Sequence, residues 1–144
     1  MKKIVITSGY FNPVHIGHMN LFREAKKLGD FLVVIVNNDE QVKIKGSRQF
    51  MSEKERIDIV KEVKYVDAVF LSIDNDRSIA QSLRIVANQH KGELLFAKGG
   101  DRNVDNIPES EKKVWQELNI TIVSGVGGAK VQSSSRLLNS KLIT

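Results

Sequence analysis

The side chains best suited to chemistry lie in one run, Ser8-Gly9-Tyr10-Phe11-Asn12-Pro13-Val14-His15-Ile16-Gly17-His18. His15 and His18 are three apart, so within a single helical turn they share a face. The start of a helix presents unpaired backbone N–H groups and a partial positive charge, which together attract anions. Two imidazoles at that point suggest a binder of phosphate. A plainer reading is that each histidine caps the helix or stands in solvent. Zinc is a further rival, but it wants a third and a fourth ligand, whereas the chain has no cysteine and only His90 besides.

The elements that must position this run flank it. Lys3-Ile4-Val5-Ile6-Thr7 is apolar and β-branched, and reads as a buried strand. Beyond the run, Leu21, Phe22, Ala25 and Leu28 recur at helical spacing, so a helix begins near Ile16. The histidines therefore sit where a strand-to-helix loop enters its helix. Gly9 is expected to let the chain leave the strand at dihedrals closed to other residues. Pro13 stiffens the loop, and Gly17 leaves room at the first turn. Leu28-Gly29-Asp30 stops the helix with glycine at its C-cap. Phe31-Leu32-Val33-Val34-Ile35-Val36 then reads as a fully buried parallel strand. Strand, helix and strand make a right-handed βαβ unit.

Further along, Glu40 to Phe50 is polar and basic with no hydrophobic period, and is expected to be a mobile loop. Ser52-Glu53-Lys54-Glu55 is a capping box opening a helix with Ile57, Ile59, Val60 and Val63 on its core face. Asp67 to Ser72 is a strand, and Asp76 can cap a helix reaching about Asn88. Glu93 to Ala97 is a strand closed by Lys98-Gly99-Gly100-Asp101-Arg102. Pro108 suits the first position of a helix carrying Val114, Trp115 and Leu118, with Trp115 read as core or interface. Asn119 to Val123 is a strand, Gly125 to Lys130 a loop, and Ser133-Ser134-Ser135 starts a terminal helix. This alternation predicts an α/β fold in a single domain: a Rossmann-like, doubly wound, parallel five-stranded sheet with helices on both faces. The Gly-containing polar loops follow the first, fourth and fifth strands, so all open on one edge, where such sheets bind ligands.

Composition narrows the function. A net charge of +5 and a pI near 9.5 invite a nucleic-acid reading. Yet aromatics are only 6%, and the basic residues alternate with acidic ones, as in Glu53-Lys54-Glu55-Arg56. The surplus fits a polyanionic small molecule better than a duplex. Without cysteine there is no disulfide or thiol chemistry. The apolar run after Met1-Lys2-Lys3 is too short for a signal peptide, and Phe31 to Val36 falls far short of a membrane span. The expectation is a cytoplasmic protein with neither nucleic acid nor membrane as partner. Gly125 to Lys130 is no Walker loop, because Val131 follows the lysine. No GxGxxG follows the first strand, which disfavours a nicotinamide or flavin Rossmann site.

The run from Gly9 to His18 resembles the G-x-F-[DN]-x-x-H-x-G-H signature of the cytidylyltransferase-like nucleotidyltransferases, and further matches extend over nearly the whole chain. The resemblance implies that His15 and His18 contact a nucleoside triphosphate and stabilise the transition state, with His18 having the larger effect. It places Gly9, Tyr10, Phe11, Asn12 and Gly17 along the nucleotide. Lys45 and Arg48 stand where relatives place basic residues that close over the phosphates, Lys45 as a catalytic group. Arg56 matches the arginine of the following helix. Ser133, Ser134 and Ser135 resemble the I-S-[ST]-[ST] motif that holds the outer phosphates, with Gln132 replacing isoleucine. The arginine usual just before that motif is missing; Gly128 stands in its place.

Lys98, Gly99, Gly100 and Asp101 resemble the K-G-G-D of the heptose-phosphate adenylyltransferase branch, and line the nucleoside pocket by that analogy. Mg²⁺ is implied as the triphosphate's companion, held by phosphate oxygens and water; no protein metal site is implied. The partners implied are ATP, or CTP less readily, and a phosphorylated small acceptor such as a sugar or polyol phosphate, in a possible homodimer. Glycerol-3-phosphate cytidylyltransferase, FAD synthase and nicotinamide-mononucleotide adenylyltransferase are rivals within the fold. A nucleotide-binding module without turnover is the rival from another class.

Overall fold

A computed structural model describes residues 1–99 and 107–128. In chain order the elements are β1 (Lys3–Gly9), α1 (Ile16–Lys27), β2 (Phe31–Val36), α2 (Asp39–Lys45), α3 (Glu53–Lys61), β3 (Ala68–Leu71), α4 (Ala80–Gln89), β4 (Glu93–Gly99), α5 (Glu109–Glu117) and β5 (Thr121–Val126). The strands form one five-stranded parallel sheet in the order β3-β2-β1-β4-β5. The chain runs outward from β1 through β2 to β3, then returns to lay β4 on the other side of β1. Strand order reverses at the β1–β4 pair, and there the Thr7 hydroxyl donates to the Ala97 carbonyl.

The unbroken apolar strands follow from burial on both faces. On one face Ile4, Ile6, Val33, Ile35 and Phe96 pack with Leu83 and Val86 of α4 and Val114 and Trp115 of α5. On the other, Val5, Val34, Val36 and Ala97 pack with Leu21, Phe22 and Ala25 of α1 and Val60 of α3. Trp115 is thus core, its ring tilted on Phe96 at 5.9 Å between centroids. The expected doubly wound α/β fold is what the chain adopts.

Some local expectations fail for physical reasons. The segment after β2 is not simply a loop, because residues 39–45 form α2. Its signals are polar: Asn38 accepts from Gln41 N–H and Gln41 reaches back to Asn38 N–H, Asp39 and Glu40 open the helix, and Gly46 closes it in a left-handed conformation (φ 82°). Asp76 does not cap α4. Its carboxylate serves Ser78, while Asp74 accepts from the N–H groups of Gln81 and Ser82. Gly29 follows the C-cap, Leu28, and is required because a Cβ there would lie 2.8 Å from the Lys3 carbonyl. Ile59 is exposed rather than core. Pro108 is the N-cap of α5 rather than its first helical residue, so the helix begins one residue later than expected, and β5 extends to Val126. Ser52 accepts from Glu55 N–H, but the return bond from the Glu55 side chain that would complete a capping box is not made; Glu53 accepts from Asp39 N–H. The expected terminal helix lies outside the described residues.

Candidate active site

The carboxyl ends of β1, β4 and β5 meet at one edge, and the β1–α1 loop carries the histidines into it. His15 is the N-cap of α1; its Nδ1 accepts from Gly17 N–H at 3.1 Å. His18 Nδ1 accepts from His15 N–H at 3.1 Å. The two side chains therefore form a capping box of imidazoles, with rings stacked at 3.7 Å and 21°. Capping and chemistry are compatible here. Because each Nδ1 faces a main-chain donor, the proton of the neutral ring sits on Nε2. No acidic residue occupies the first turn of α1, so the helix's own first turn does not offset the positive end of its dipole.

The loop is built by residues that the sequence reading sends to the nucleotide. Phe11, not Gly9, takes the left-handed backbone (φ 52°). Its buried ring meets His18 edge-on at 4.8 Å and Phe22 at 5.3 Å. Gly9 makes space for that ring: a Cβ on it would sit 2.8 Å from Phe11. Asn12 is buried and clasps another segment, donating to the Arg48 carbonyl and accepting from Phe50 and Met51 N–H. Arg56 is fully buried. Its guanidinium donates to the carbonyls of Tyr10, Asn37 and Met51 and pairs with Asp39 at 2.9 Å. The side chains of Phe11, Asn12 and Arg56 thus hold the loop from behind. Lys45, the last residue of α2, lies over the Tyr10 ring at 4.4 Å, while Arg48 is exposed.

A cavity of about 380 Å³ opens at the same edge on the α4–α5 side of the sheet. Ser8, Gly9 and Tyr10 of β1 and its loop line it, with Lys45, and with Phe96, Lys98 and Gly99 of β4. Neither His15 nor His18 is among its walls. The histidines belong to α1, on the opposite face, and the strand ends Gly9 and Gly99 lie between. Cβ atoms built on these glycines would meet Phe11 and Leu21 of the α1 side. The remaining walls bring in Asn37, Arg77, Ile79 and Glu111, which the sequence reading leaves out. Arg77 precedes α4 at the carboxyl edge of a parallel sheet, and that position was the available signal. Glu111 reaches the cavity only through tertiary packing, its Oε1 accepting from Ile79 N–H at 2.8 Å. Gly100, Asp101, Gln132, Ser133, Ser134 and Ser135 lie outside the described residues.

With the strand order, the capping histidines and the cavity established, comparison with known proteins is direct. The cytidylyltransferase-like family model matches residues 6–125. The chain belongs to that family. It is 35% identical over 139 residues to the bifunctional protein HldE of Desulfatibacillum aliphaticivorans, covering 95% of this chain and 26% of that protein. The chain thus spans about a quarter of that relative. It is 36% identical over 124 residues to the FAD synthase of Thermococcus sibiricus, covering 85% of this chain and 80% of that one. Among solved structures, the lipopolysaccharide core biosynthesis protein of Thermoplasma volcanium superposes with a TM-score of 0.69 at 27% identity, covering 87% of this chain and 95% of that one.

Two further observations bear on what the family member can hold. Among the described residues, no group of three or more His, Asp or Glu side chains could take a metal ion. No helix among them is long and apolar enough to cross a membrane.

Proposed function

We propose that the protein transfers a nucleoside monophosphate from a triphosphate, ATP in preference to CTP, to a phosphorylated small acceptor such as a sugar or polyol phosphate. A phosphate oxygen of the acceptor attacks the α-phosphorus. The bond to the bridging oxygen breaks, and pyrophosphate leaves with that electron pair. The attacking oxygen is already anionic, so the protein's task is placement and positive charge rather than proton removal. His15 and His18 supply Nε2–H donors to the phosphate oxygens on which charge grows. Lys45 adds charge from α2. Mg²⁺ enters with the triphosphate, held by its oxygens and by water.

The observation that carries this reading is the imidazole pair capping α1, both rings oriented by Nδ1 bonds to main-chain N–H groups at the helix start. The FAD synthase relative, covered over most of its length, favours a second reading in which FMN is the acceptor. Pyrophosphate release with ATP and CTP, over a panel of sugar phosphates, polyol phosphates and FMN, tests both. Release with ATP and a sugar or polyol phosphate is the expected result, and release with FMN alone selects the second reading. Silence with every pair leaves a nucleotide-binding module without turnover.

A further inference from the structure

Tyr10 and Phe11 are consecutive, yet they serve opposite faces of the sheet. The Phe11 ring packs in the core on the α1 side and meets His18 edge-on at 4.8 Å. Tyr10 borders the other side with Ile79 and Phe96, and the Lys45 ammonium lies 4.4 Å from its ring centroid. Among the described residues two more lysines lie over rings, Lys2 on Phe31 at 5.2 Å and Lys64 on Tyr65 at 5.1 Å. Lys2 precedes β1 at the far end of the sheet, and Lys64 is the chain neighbour of its ring. The Lys45 contact is closer than either, joins two separate elements, and stands at the carboxyl edge.

One buried side chain sets both partners. Arg56 donates to the Tyr10 carbonyl at 2.7 Å, to the Asn37 carbonyl, and to Asp39, the first residue of α2, at 2.9 Å. Those bonds fix the end of β1 against the start of α2. Lys45 is at the other end of that helix, its ammonium on a flexible four-carbon stem. Lys43, in the same turn, meets Glu40 in solvent at 3.4 Å. A carboxylate partner cancels a cation's charge, whereas an aromatic face orients the cation without neutralising it. A ring therefore suits a lysine that must be placed and still attract phosphate. The G-x-F-[DN] signature leaves the residue before Phe11 open, so the motif itself does not call for a ring at Tyr10.

We propose that Tyr10 is a positioning residue for Lys45, its ring holding the ammonium at the carboxyl edge for a phosphate oxygen of the nucleotide. This rests on the reading of the preceding subsection, in which Lys45 supplies charge to the phosphates. Two adjacent rings then place two donors, Tyr10 the ammonium of Lys45 and Phe11 the imidazole of His18.

The test is a double-mutant cycle on Tyr10→Leu and Lys45→Ala, with Tyr10→Phe as the conservative variant and thermal melts to check folding. Every side chain at position 10 keeps the carbonyl that Arg56 holds. In calorimetric titrations with ATP and Mg²⁺, Tyr10→Leu should weaken binding about three- to thirtyfold. Tyr10→Phe should bind as wild type does, and Tyr10→Leu should add nothing to Lys45→Ala. A second readout is NMR of protein labelled with ¹³C at the lysine ε-carbons, where the Lys45 signal is the one lost in Lys45→Ala. Ring shielding should move its ε-protons upfield in wild type and Tyr10→Phe, and Tyr10→Leu should abolish that shift. The proposal is overturned if Tyr10→Leu leaves ATP binding unchanged or tightens it, if Tyr10→Phe fails as Tyr10→Leu does, or if the Lys45 signal is unshifted. It is overturned equally if Tyr10→Leu costs as much in the Lys45→Ala background, the result for a ring that touches the nucleotide itself. A coupled loss of ATP affinity without pyrophosphate release from any acceptor would leave this proposal standing and remove the preceding one. Release in which Tyr10 and Lys45 act independently would do the reverse, and absence of ATP binding would remove both.

Discussion

Two helices begin at the same edge of the sheet, and they treat their first N–H groups in opposite ways. α1 is capped by His15 and His18, uncharged acceptors when neutral, with no acidic residue in its first turn. α4 is met by a buried carboxylate: Asp74 takes the N–H groups of Gln81 and Ser82 and the Ser82 hydroxyl. Glu111 takes the N–H of Ile79, its N-cap. A carboxylate neutralises the positive end of a helix, whereas a neutral imidazole leaves the field available to an incoming anion. Topology alone offers both ends to a phosphate, and a buried carboxylate already occupies that of α4. On the α4 side, cations must come from Arg77, Lys45 and Lys98.

The contrast depends on the loop before α1 staying in place, so the heaviest blow is to its anchor. Arg56→Met should cost on the order of 3 kcal/mol or more in urea unfolding, because it strands three carbonyls and the Asp39 carboxylate. A loss well below that would mean that water replaces the guanidinium. Next comes the ring itself. His18→Ala should lower turnover about 10²–10³-fold with only a modest loss of thermal stability, and unchanged turnover would show that the α1 terminus is a cap and nothing more.

Asp74→Asn bears on the other helix. It should cost about 1–3 kcal/mol in unfolding experiments and leave turnover per folded molecule intact. If turnover falls as steeply as with His18→Ala, the two helix starts are not distinct in function. The smallest effect lies on the solvent side of α4, where Arg84 pairs with Glu117 of α5 at 2.6 Å. Its hydrogen bond holds that carboxyl below the usual range. A carboxylate with a lowered folded pKa adds stability above its ordinary pKa and loses it as pH falls through the folded value. Arg84→Gln should therefore show a slight deficit at neutral pH that closes in acid. Stability curves for the two proteins that stay parallel down to low pH would count against the pair.

The parts of the molecule written in apolar periodicity were readable from the chain. β1, β2 and α1 announce themselves by runs such as Ile4-Val5-Ile6 and Phe31 to Val36, and burial confirms them. Parallel order at the sheet edge followed from alternation. What escaped was polar and long-range. α2 is held by the Asn38–Gln41 pair and by Gln41 donating to the carbonyls of Asp76 and Ser78, so an amide is buried beside Val42 as its anchor. Arg56 looks like surface charge within Glu53-Lys54-Glu55-Arg56, yet its partners come from residues 10, 37, 39 and 51. Asp74 and Asp76 are equally plausible caps by spacing, and only the packing of Ser72 and Ser82 around Asp74 decides between them. The motif was likewise legible as residues but not as roles: Phe11 and Asn12 shape the loop that the histidines ride on.

The paired contacts of His15 and His18 have a stereochemical consequence. Neither imidazole can turn end for end without breaking its bond to a main-chain N–H, so their donor edges keep one handedness. For a triphosphate laid against them, the two non-bridging oxygens of the α-phosphorus become inequivalent. Sulfur placed on one or the other should then give diastereomers that react at clearly different rates.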